Sequence, residues 1–354
     1  MSFGIYVHLP FCRVHCAYCP FVVSTHVEQQ DRYTDALLRE IDARAGGSVD
    51  TIFFGGGTPS RTSLANLTRI VARLREQFDV AADAEVSLEA NPEDIAPESV
   101  AAWRALGVNR ISIGVQSFHD AELRPLGRVH GPQRARDAIR DALASGARTS
   151  LDLILGLPNQ TAESFRQTLD IAIESGAGHI SLYMLDLEEG TALKRQVERG
   201  KVALPDDDLV AALYAEAIER LERAGLRQYE ISNFGDPCRH NLRYWRREEY
   251  LGFGAGAHSF VGNRRFANSR DVTDYEQDFV ETLSAADVRR ETIFLQLRQT
   301  SGIDYDDVVR MCGAGGMEWM ERGLTDGWLR RDGGRVAFTP AGFLLSNDYI
   351  SRLF

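Results

Sequence analysis

Three cysteines stand within eight residues: Cys12, Cys16 and Cys19, spaced C-x3-C-x2-C directly after an apolar, β-prone run. Thiolates are the natural ligands of iron–sulfur clusters. A cubane of four irons held by three cysteines keeps one iron open to a ligand from outside the protein. The residues alone leave two other readings. Zinc wants four ligands, and His8, His15 or His26 is near enough in sequence to supply the fourth, although no second C-x2-C pair follows. Three unrelated buried thiols are the plainest alternative. The remaining cysteines, Cys238 and Cys312, are distant, and five in 354 residues do not make a disulfide scaffold.

Other polar residues fall at the ends of apolar runs. Gly55-Gly56-Gly57-Thr58-Pro59-Ser60 lets backbone approach a ligand closely. Glu89, Gln116 and Asp152 interrupt or follow apolar runs, where a polar side chain needs a partner. They either bond one another and the backbone or converge on a polar ligand. Arg128 is either a surface arginine or a carboxylate binder. Tyr18 either packs or stacks on a ring. In Arg239-His240-Asn241-Leu242-Arg243-Tyr244-Trp245, a neutral imidazole can ligate a metal and the guanidinium groups suit carboxylates. The same segment reads equally as a surface loop whose Trp245 docks into the barrel mouth and whose His240 only hydrogen-bonds.

The elements that must position these residues alternate. Strands are expected at Phe3–Leu9, Thr51–Phe54, Glu85–Glu89, Arg110–Val115, Thr149–Leu155, His179–Leu185 and Gln228–Ser232. Amphipathic helices are expected near Asp31–Ala45, Ser63–Gln77, Pro97–Leu106, Gln133–Ala144, Ala162–Glu174 and Asp206–Ala224. Ser63 and Thr161 are placed to cap helices, and Gly107, Gly146, Gly176 and Gly225 to end them. Such βα units build a parallel sheet. Six or seven are too few for an eight-unit barrel and fit a partial, open one. In α/β folds ligands bind beyond the carboxyl ends of the strands, where the glycine run and the cysteines lie. The rhythm breaks after Asn233. Helices near Glu281–Arg298, Tyr305–Cys312 and Gly316–Asp326 then precede a hairpin, Trp328–Arg330 and Arg335–Thr339, suggesting a small winged-helix-like end. The expected division is 1–235 for the barrel and 236–354 for a smaller α+β region.

The composition, 44% hydrophobic and 26% charged, is that of a globular protein, and the net charge of −11 disfavours nucleic acid as a partner. No apolar run reaches membrane-spanning length and the first residues do not read as a signal peptide, so a cytoplasmic protein is expected.

The cysteine spacing, with aromatic Tyr18 before the last cysteine, resembles the radical S-adenosylmethionine (SAM) superfamily. The strings YVHLPFC, GGGTPS, EANPE, RISIGVQSF, LGRVHGP, LDLILGLP and GFGAGAHSF resemble the oxygen-independent coproporphyrinogen III oxidase-like (HemN/HemW) family over nearly the whole chain. The resemblance implies a partial (βα)6 barrel. It implies a [4Fe-4S] cluster on Cys12, Cys16 and Cys19, and SAM chelating the open iron for reductive cleavage to methionine and a 5′-deoxyadenosyl radical. By matched position, Tyr6, Gly56, Gly57, Thr58, Glu89, Gln116, Arg128 and Asp152 contact SAM, with Tyr18 beside the adenine. Two departures lead away from the oxidases and towards the heme-chaperone branch, HemW: Phe21 replaces a fourth cysteine, and only eleven residues precede Cys12. Pro20 stands where that branch usually has Asp. The HNxxYW match implies heme binding by His240, Asn241, Tyr244 and Trp245, with heme as cargo. The implied partners are heme, acceptor hemoproteins and an electron donor of flavodoxin, ferredoxin or NAD(P)H-linked type, with possible peripheral membrane contact and a monomer or homodimer. The rival is a radical SAM enzyme: a methyltransferase, a cyclopropanase or a coproporphyrinogen III dehydrogenase. Cys12→Ala, Cys16→Ala and Cys19→Ala should each abolish the brown absorbance of the anaerobically reconstituted protein, read in the visible spectrum. Retained colour in any of the three would overturn the ligand set.

Overall fold

A computed structural model describes residues 2–353. Six strands, β1 (Phe3–Leu9), β2 (Ser48–Gly56), β3 (Asp79–Ala90), β4 (Arg110–Gln116), β5 (Arg148–Leu155) and β6 (His179–Met184), pair in parallel in chain order. They are buried over most of their length because helices cover the outside of the sheet, which is why they read as apolar runs rather than as alternation. The covering helices are α1 (Gln30–Asp42), α2 (Leu64–Gln77), α3 (Pro97–Ala105), α4 (Pro132–Ala144), α5 (Ala162–Glu174) and α6 (Asp207–Arg223). Ser63 Oγ accepts the Asn66 N–H and Thr161 Oγ1 the Ser164 N–H, so both expected caps form. This is the partial, open α/β barrel that the sequence pattern implies.

One expected strand is misplaced. Gln228–Ser232 makes only isolated bridges, Gln228 to Phe234 and Glu230 to Gln299, and the strand proper is β7 (Asn233–Gly235), antiparallel to β6. The chain doubles back there: the Tyr229 N–H donates to Asn233 O and the Gly235 N–H to Arg227 O, so the apolar run is spent on a turn.

After α7 (Arg239–Trp245), where the strand–helix rhythm has broken, the chain extends the sheet on its other edge. β8 (Tyr250–Phe253) pairs in parallel with β1, and β9 (His258–Val261), β10 (Arg264–Asn268) and β11 (Gln277–Thr282) follow antiparallel, completing 11 strands. Beyond lie α8 (Ala285–Leu297) and α9 (Tyr305–Thr325), the latter broken at Gly313, with φ 65° and ψ −147°. A three-stranded sheet follows, in the order β12 (Ile303–Asp304), β14 (Arg335–Phe338), β13 (Leu329–Asp332). The two expected helices over residues 305–326 and the expected hairpin are therefore present. Among the described residues no helix is long and apolar enough to cross a membrane.

Near the amino ends of the strands one buried carboxylate ties the barrel to α7. Glu85, on β3, receives Arg110 Nε at 3.1 Å, and Arg148 Nη1 lies at 3.4 Å. Its other oxygen accepts the His240 N–H at 3.2 Å and Cys238 Sγ at 3.3 Å. The Glu85 and Arg110 side chains are 0% and 2% exposed. Breaking a buried pair by removing one partner costs about 3–5 kcal/mol when the other charge is left without compensation. Arg148 and the His240 N–H still face Glu85, so Arg110→Met is expected to lower unfolding stability by less, about 2 kcal/mol, measured by urea denaturation. A loss below about 1 kcal/mol would show that Glu85 does not depend on Arg110.

Candidate functional site

The three cysteines sit on a loop closed on itself at the carboxyl end of β1. The Cys12 N–H donates to Ser24 O at 2.9 Å and the Ser24 N–H to Pro10 O at 2.8 Å. Neighbouring segments clamp the far side: the Ala17 N–H donates to Leu126 O at 2.9 Å and the Leu193 N–H to Ala17 O at 2.7 Å. Cys12 is buried, Cys16 and Cys19 are half-buried, and all three line one cavity of about 490 Å³. Thr58 Oγ1 donates to Cys12 Sγ at 3.2 Å, and Arg128 Nη1 lies 3.8 Å from Cys16 Sγ. Burial, only partly offset by the Thr58 hydrogen bond, pushes the Cys12 thiol up to about 11. Iron must displace that proton.

Of the histidines offered as a fourth zinc ligand, His8 has both ring nitrogens engaged, while His15 and His26 each bond through one. His8 Nε2 bonds Val22 O at 2.7 Å and its Nδ1 the Tyr6 hydroxyl at 3.1 Å. His15 Nε2 bonds Cys19 O, and His26 Nδ1 bonds Glu28. Among the described residues no three His, Cys, Asp or Glu side chains are grouped to hold a single ion. A cubane, which takes one thiolate on each of three different irons, suits the thiols better than zinc does.

The residues matched to SAM contacts nearly all reach the same cavity: Tyr18, Gly56, Gly57, Thr58, Glu89, Gln116, Arg128 and Asp152 line it. Tyr6 does not. Its hydroxyl is turned to His8, and its surroundings, first burial and then the Glu89 charge, push it well above the usual phenol range. A Cβ on Gly57 would meet Pro10 O at 2.4 Å and Cys12 Sγ at 3.0 Å, so only glycine lets this turn lie beside the cluster loop. The register of β4 shifts between Gly114 and Gln116, and Gln116 has φ 66°, unusual for a side-chain-bearing residue. Such a bulge re-aims a side chain at a sheet's rim, and here Gln116 borders the cavity.

The cavity is electrostatically unfinished. Glu89 is pushed up to about 8, first by burial and then by the Asp152 charge, against one hydrogen bond from the Gly56 N–H at 3.2 Å. Asp152 is pushed up to about 6 by burial, resisted by Ser181, Ser112 and Arg128. Two carboxyl groups held against their charged forms are ready-made partners for a ligand's cation or hydroxyls. Thiols, paired carboxyl groups and a glycine cradle in one cavity thus fit a [4Fe-4S] cluster carrying SAM, whose sulfonium is cationic.

The motifs did not single out Asn91, Ser112, Tyr183 and Met184. Asn91 Oδ1 accepts Arg128 Nη2 at 2.7 Å, and Ser112 Oγ reaches Asp152 at 3.1 Å. Tyr183 and Met184 border the cavity from the end of β6. Their signal was position alone, at the carboxyl end of an expected strand.

The expected heme segment lies at the other end of the barrel, against the amino ends of β1 and β2. His240 is 1% exposed. Its Nδ1 bonds Thr51 Oγ1 at 2.9 Å, its Nε2 bonds the Tyr244 hydroxyl at 2.8 Å, and its ring stacks on Phe53 at 5.3 Å. Burial lowers its pKa to about 3, so it stays neutral. In this conformation His240 has no free nitrogen for an iron. The hydrogen-bonding alternative describes the ring as found, although the segment that carries Trp245 lies by the amino ends of β1 and β2 and not at the barrel mouth. Asn241, Tyr244 and Trp245 are half-buried beside it.

Between the ordinary carboxylate value and about 8, the folded protein keeps a proton on Glu89 that the unfolded chain has lost. The stability of the metal-free protein therefore falls as pH rises through that window. Glu89→Gln should stabilise the metal-free protein at pH 8 by about 1–2 kcal/mol, allowing for solvent in the cavity, and flatten the decline between pH 6 and 8. Urea unfolding across that range checks it, and an unchanged slope would refute it.

The radical SAM superfamily profile matches residues 6–172. The chain is 37% identical over 372 aligned positions to a protein named heme chaperone HemW from Mycobacterium tuberculosis, covering 99% of this chain and 94% of that one. It is 39% identical to the protein so named from Escherichia coli, over 73% of this chain and 70% of that one. The structure resembles that of E. coli coproporphyrinogen III oxidase (HemN), a radical SAM enzyme, with a TM-score of 0.85 and 26% identity, covering 99% of this chain and 90% of that one. The cavity built around Cys12, Cys16 and Cys19 thus sits in a chain that belongs to the radical SAM superfamily and, within it, to the HemN/HemW family, on the side of the proteins named heme chaperones.

Proposed function

We propose that this protein is a heme chaperone: it binds heme, holds a [4Fe-4S] cluster on Cys12, Cys16 and Cys19 with SAM on the open iron, and hands heme to acceptor hemoproteins. The observation that carries the reading is the separation of α7 from the cavity. The HNxxYW segment packs near the amino ends of β1 and β2, and the thiols lie past the carboxyl end of β1. Heme held by α7 would be out of reach of chemistry begun at the cluster, as suits cargo and not substrate.

In the cavity, Glu89 and Asp152 accept the polar groups of SAM, Tyr18 packs beside its adenine, and the Gly56–Gly57 turn admits its backbone-like end. Arg128 holds Asn91 and the Gly114 carbonyl while facing Cys16. Thr58 steadies Cys12. When bound, cluster and SAM supply one-electron chemistry. At the other end, heme capture requires His240 to exchange Thr51 and Tyr244 for iron, with α7 lifting from the floor. A hollow beside α7 is bordered by Arg239, Arg243 and Arg247, each paired with a carboxylate, and by exposed Arg246, whose guanidinium suits a heme propionate. Five free thiols suit a reducing compartment, the cytoplasm. The rival reading, a radical SAM enzyme, draws on the likeness to HemN.

Heme titration of the reconstituted protein tests this. A saturable Soret shift is expected, weakened about tenfold or more in His240→Ala and about threefold or more in Arg246→Ala, about 1.4 and 0.7 kcal/mol respectively. Arg246 is exposed, so its loss should leave folding unaffected. SAM-dependent conversion of coproporphyrinogen III, or heme binding indifferent to both variants, would overturn the assignment.

A further inference from the structure

We propose that Glu93 and His130 form a proton-sharing pair in the wall of the cavity, which sets how freely Arg128 can hold SAM and makes that hold depend on pH. The proposal rests on the reading of the cavity as a SAM site. Neither residue has a role in that reading.

Two short segments meet at this wall. One leaves the carboxyl end of β3 and carries Asn91 and Glu93, and the other carries Arg128 and His130. The residues on each segment are two apart, and both pairs bridge the two segments. Arg128 Nη2 donates to Asn91 Oδ1 at 2.7 Å, and His130 Nδ1 lies 3.6 Å from Glu93 Oε2. Arg128 and His130 also take the carbonyls at the β4 bulge. Arg128 donates to Gly114 O, and His130 Nε2 bonds Val115 O at 3.1 Å.

That last bond fixes where a proton must be. A carbonyl oxygen only accepts, so His130 Nε2 carries a hydrogen. A neutral imidazole then has a bare lone pair at Nδ1, on the side of the Glu93 carboxylate. Both Nδ1 and Glu93 Oε2 are buried, and neither has a hydrogen-bond partner among the described residues. Two buried acceptors facing each other repel. One further proton held between them removes the conflict, and the pair is then neutral as a whole. Glu93 is its anionic member. Burial raises the proton affinity of this carboxyl, but the His130 contact, its own backbone N–H and the Arg128 charge outweigh burial and hold it below its ordinary value.

The other charges around the pair are committed elsewhere. Asp94 is bonded by Ser60 and Arg61, and Arg134 donates to the carbonyls of Pro92 and Ile95. Asp120 lies beyond His130, beside Gly131. Arg128 is the cation besides His130 that acts on Glu93, and both Arg128 and Glu93 line the cavity.

The two carboxylates, that of Glu93 and that of SAM, compete for one guanidinium. While the pair holds its proton, Glu93 is answered by His130, and Arg128 can offer a nitrogen to the carboxylate end of SAM. When that proton passes to water in the cavity, the bare Nδ1 repels Glu93, whose remaining partner is Arg128. SAM therefore favours the protonated pair, and its affinity falls as pH rises through the titration of the pair. Glu93 and His130 act through Arg128 and are positioning residues.

The test is equilibrium binding of labelled SAM to the anaerobically reconstituted protein, between about pH 6 and about pH 9. The cluster is kept oxidised, so that SAM is held and not cleaved. Glu93→Gln removes the competing charge, and its amide can donate to His130 Nδ1. Near the acid end of the range, parent and variant should bind SAM alike. Near the alkaline end, the parent should bind about fivefold or more weakly than the variant. Glu89 and Asp152 titrate in the same cavity of both proteins, so their effect cancels in the ratio of the two affinities. Iron content should be the same in both, since no cysteine is touched. A ratio that stays constant across the range would overturn the pair, and a weaker variant at every pH would mark Glu93 as merely structural and overturn it too. Protein without a four-iron cluster, or a parent that carries the cluster and binds no SAM at any pH, would overturn the reading of the cavity itself.

Discussion

The demand that shapes this molecule is that three thiols be aimed at one cavity by a loop whose backbone is held without help from metal. A loop leaving a strand end has nothing inherent to fix it. Here it is closed at its base between Pro10, Cys12 and Ser24, and clamped at its far side by Leu126 and Leu193. The clamps come from distant parts of the chain, so the loop's position depends on the folded barrel. Gly57 completes the arrangement, since its turn passes so close to Pro10 and Cys12 that no side chain fits. A site that must leave an iron one ligand short gains from such rigidity, because a pliant loop would let a fourth protein group close the shell.

The same economy explains the two ends of the barrel. Past the carboxyl ends of the strands, polar groups are left under-bonded: Glu89 has one backbone donor against a neighbouring carboxylate, and Gln116 sits on a bulge with positive φ. Such arrangements are destabilising in isolation and persist where a ligand completes them. Near the amino ends, by contrast, Glu85 is surrounded by Arg110, Arg148, Cys238 and the His240 N–H. One end is built to receive and the other to hold. That contrast is why the closed His240 matters: any ligand taken there must displace bonds already made, whereas a ligand in the cavity supplies bonds that are missing.

How much could be read in advance follows from which physical signal each element carries. The parallel strands were legible because burial on both faces forces apolar runs, and Ser63 and Thr161 marked helix starts because their side chains satisfy free N–H groups. The cysteines, the glycine turn, Glu89, Arg128 and Asp152 were legible as candidates because polar or glycine residues in such places need a reason. Strands β8 to β11 were not legible: they are four to six residues long, mix polar with apolar residues, and one is exposed throughout. Gln228–Ser232 misled because an apolar, β-prone run can also fill a turn whose bonds go to Asn233 and Gln299.

The fate of His240 shows where motif reading ends. A histidine beside Tyr and Trp on a basic segment has the right chemistry for an iron ligand, and nothing in its spacing tells whether a nitrogen is free. That depends on Thr51, which is 189 residues away in sequence, and on Phe53, whose ring it stacks upon. Lifting α7 would give up the Thr51 bond, the stack and the Glu85 contact to the His240 N–H together, so release would be cooperative rather than gradual. A segment held by several modest bonds that are lost as a unit is suited to two states, one docked and one lifted. Glu85 stands at the junction of both, since the oxygen that holds α7 belongs to the carboxylate that neutralises Arg110. Glu85 and Arg110 stand on β3 and β4, the strands that also carry Glu89 and Gln116 to the cavity.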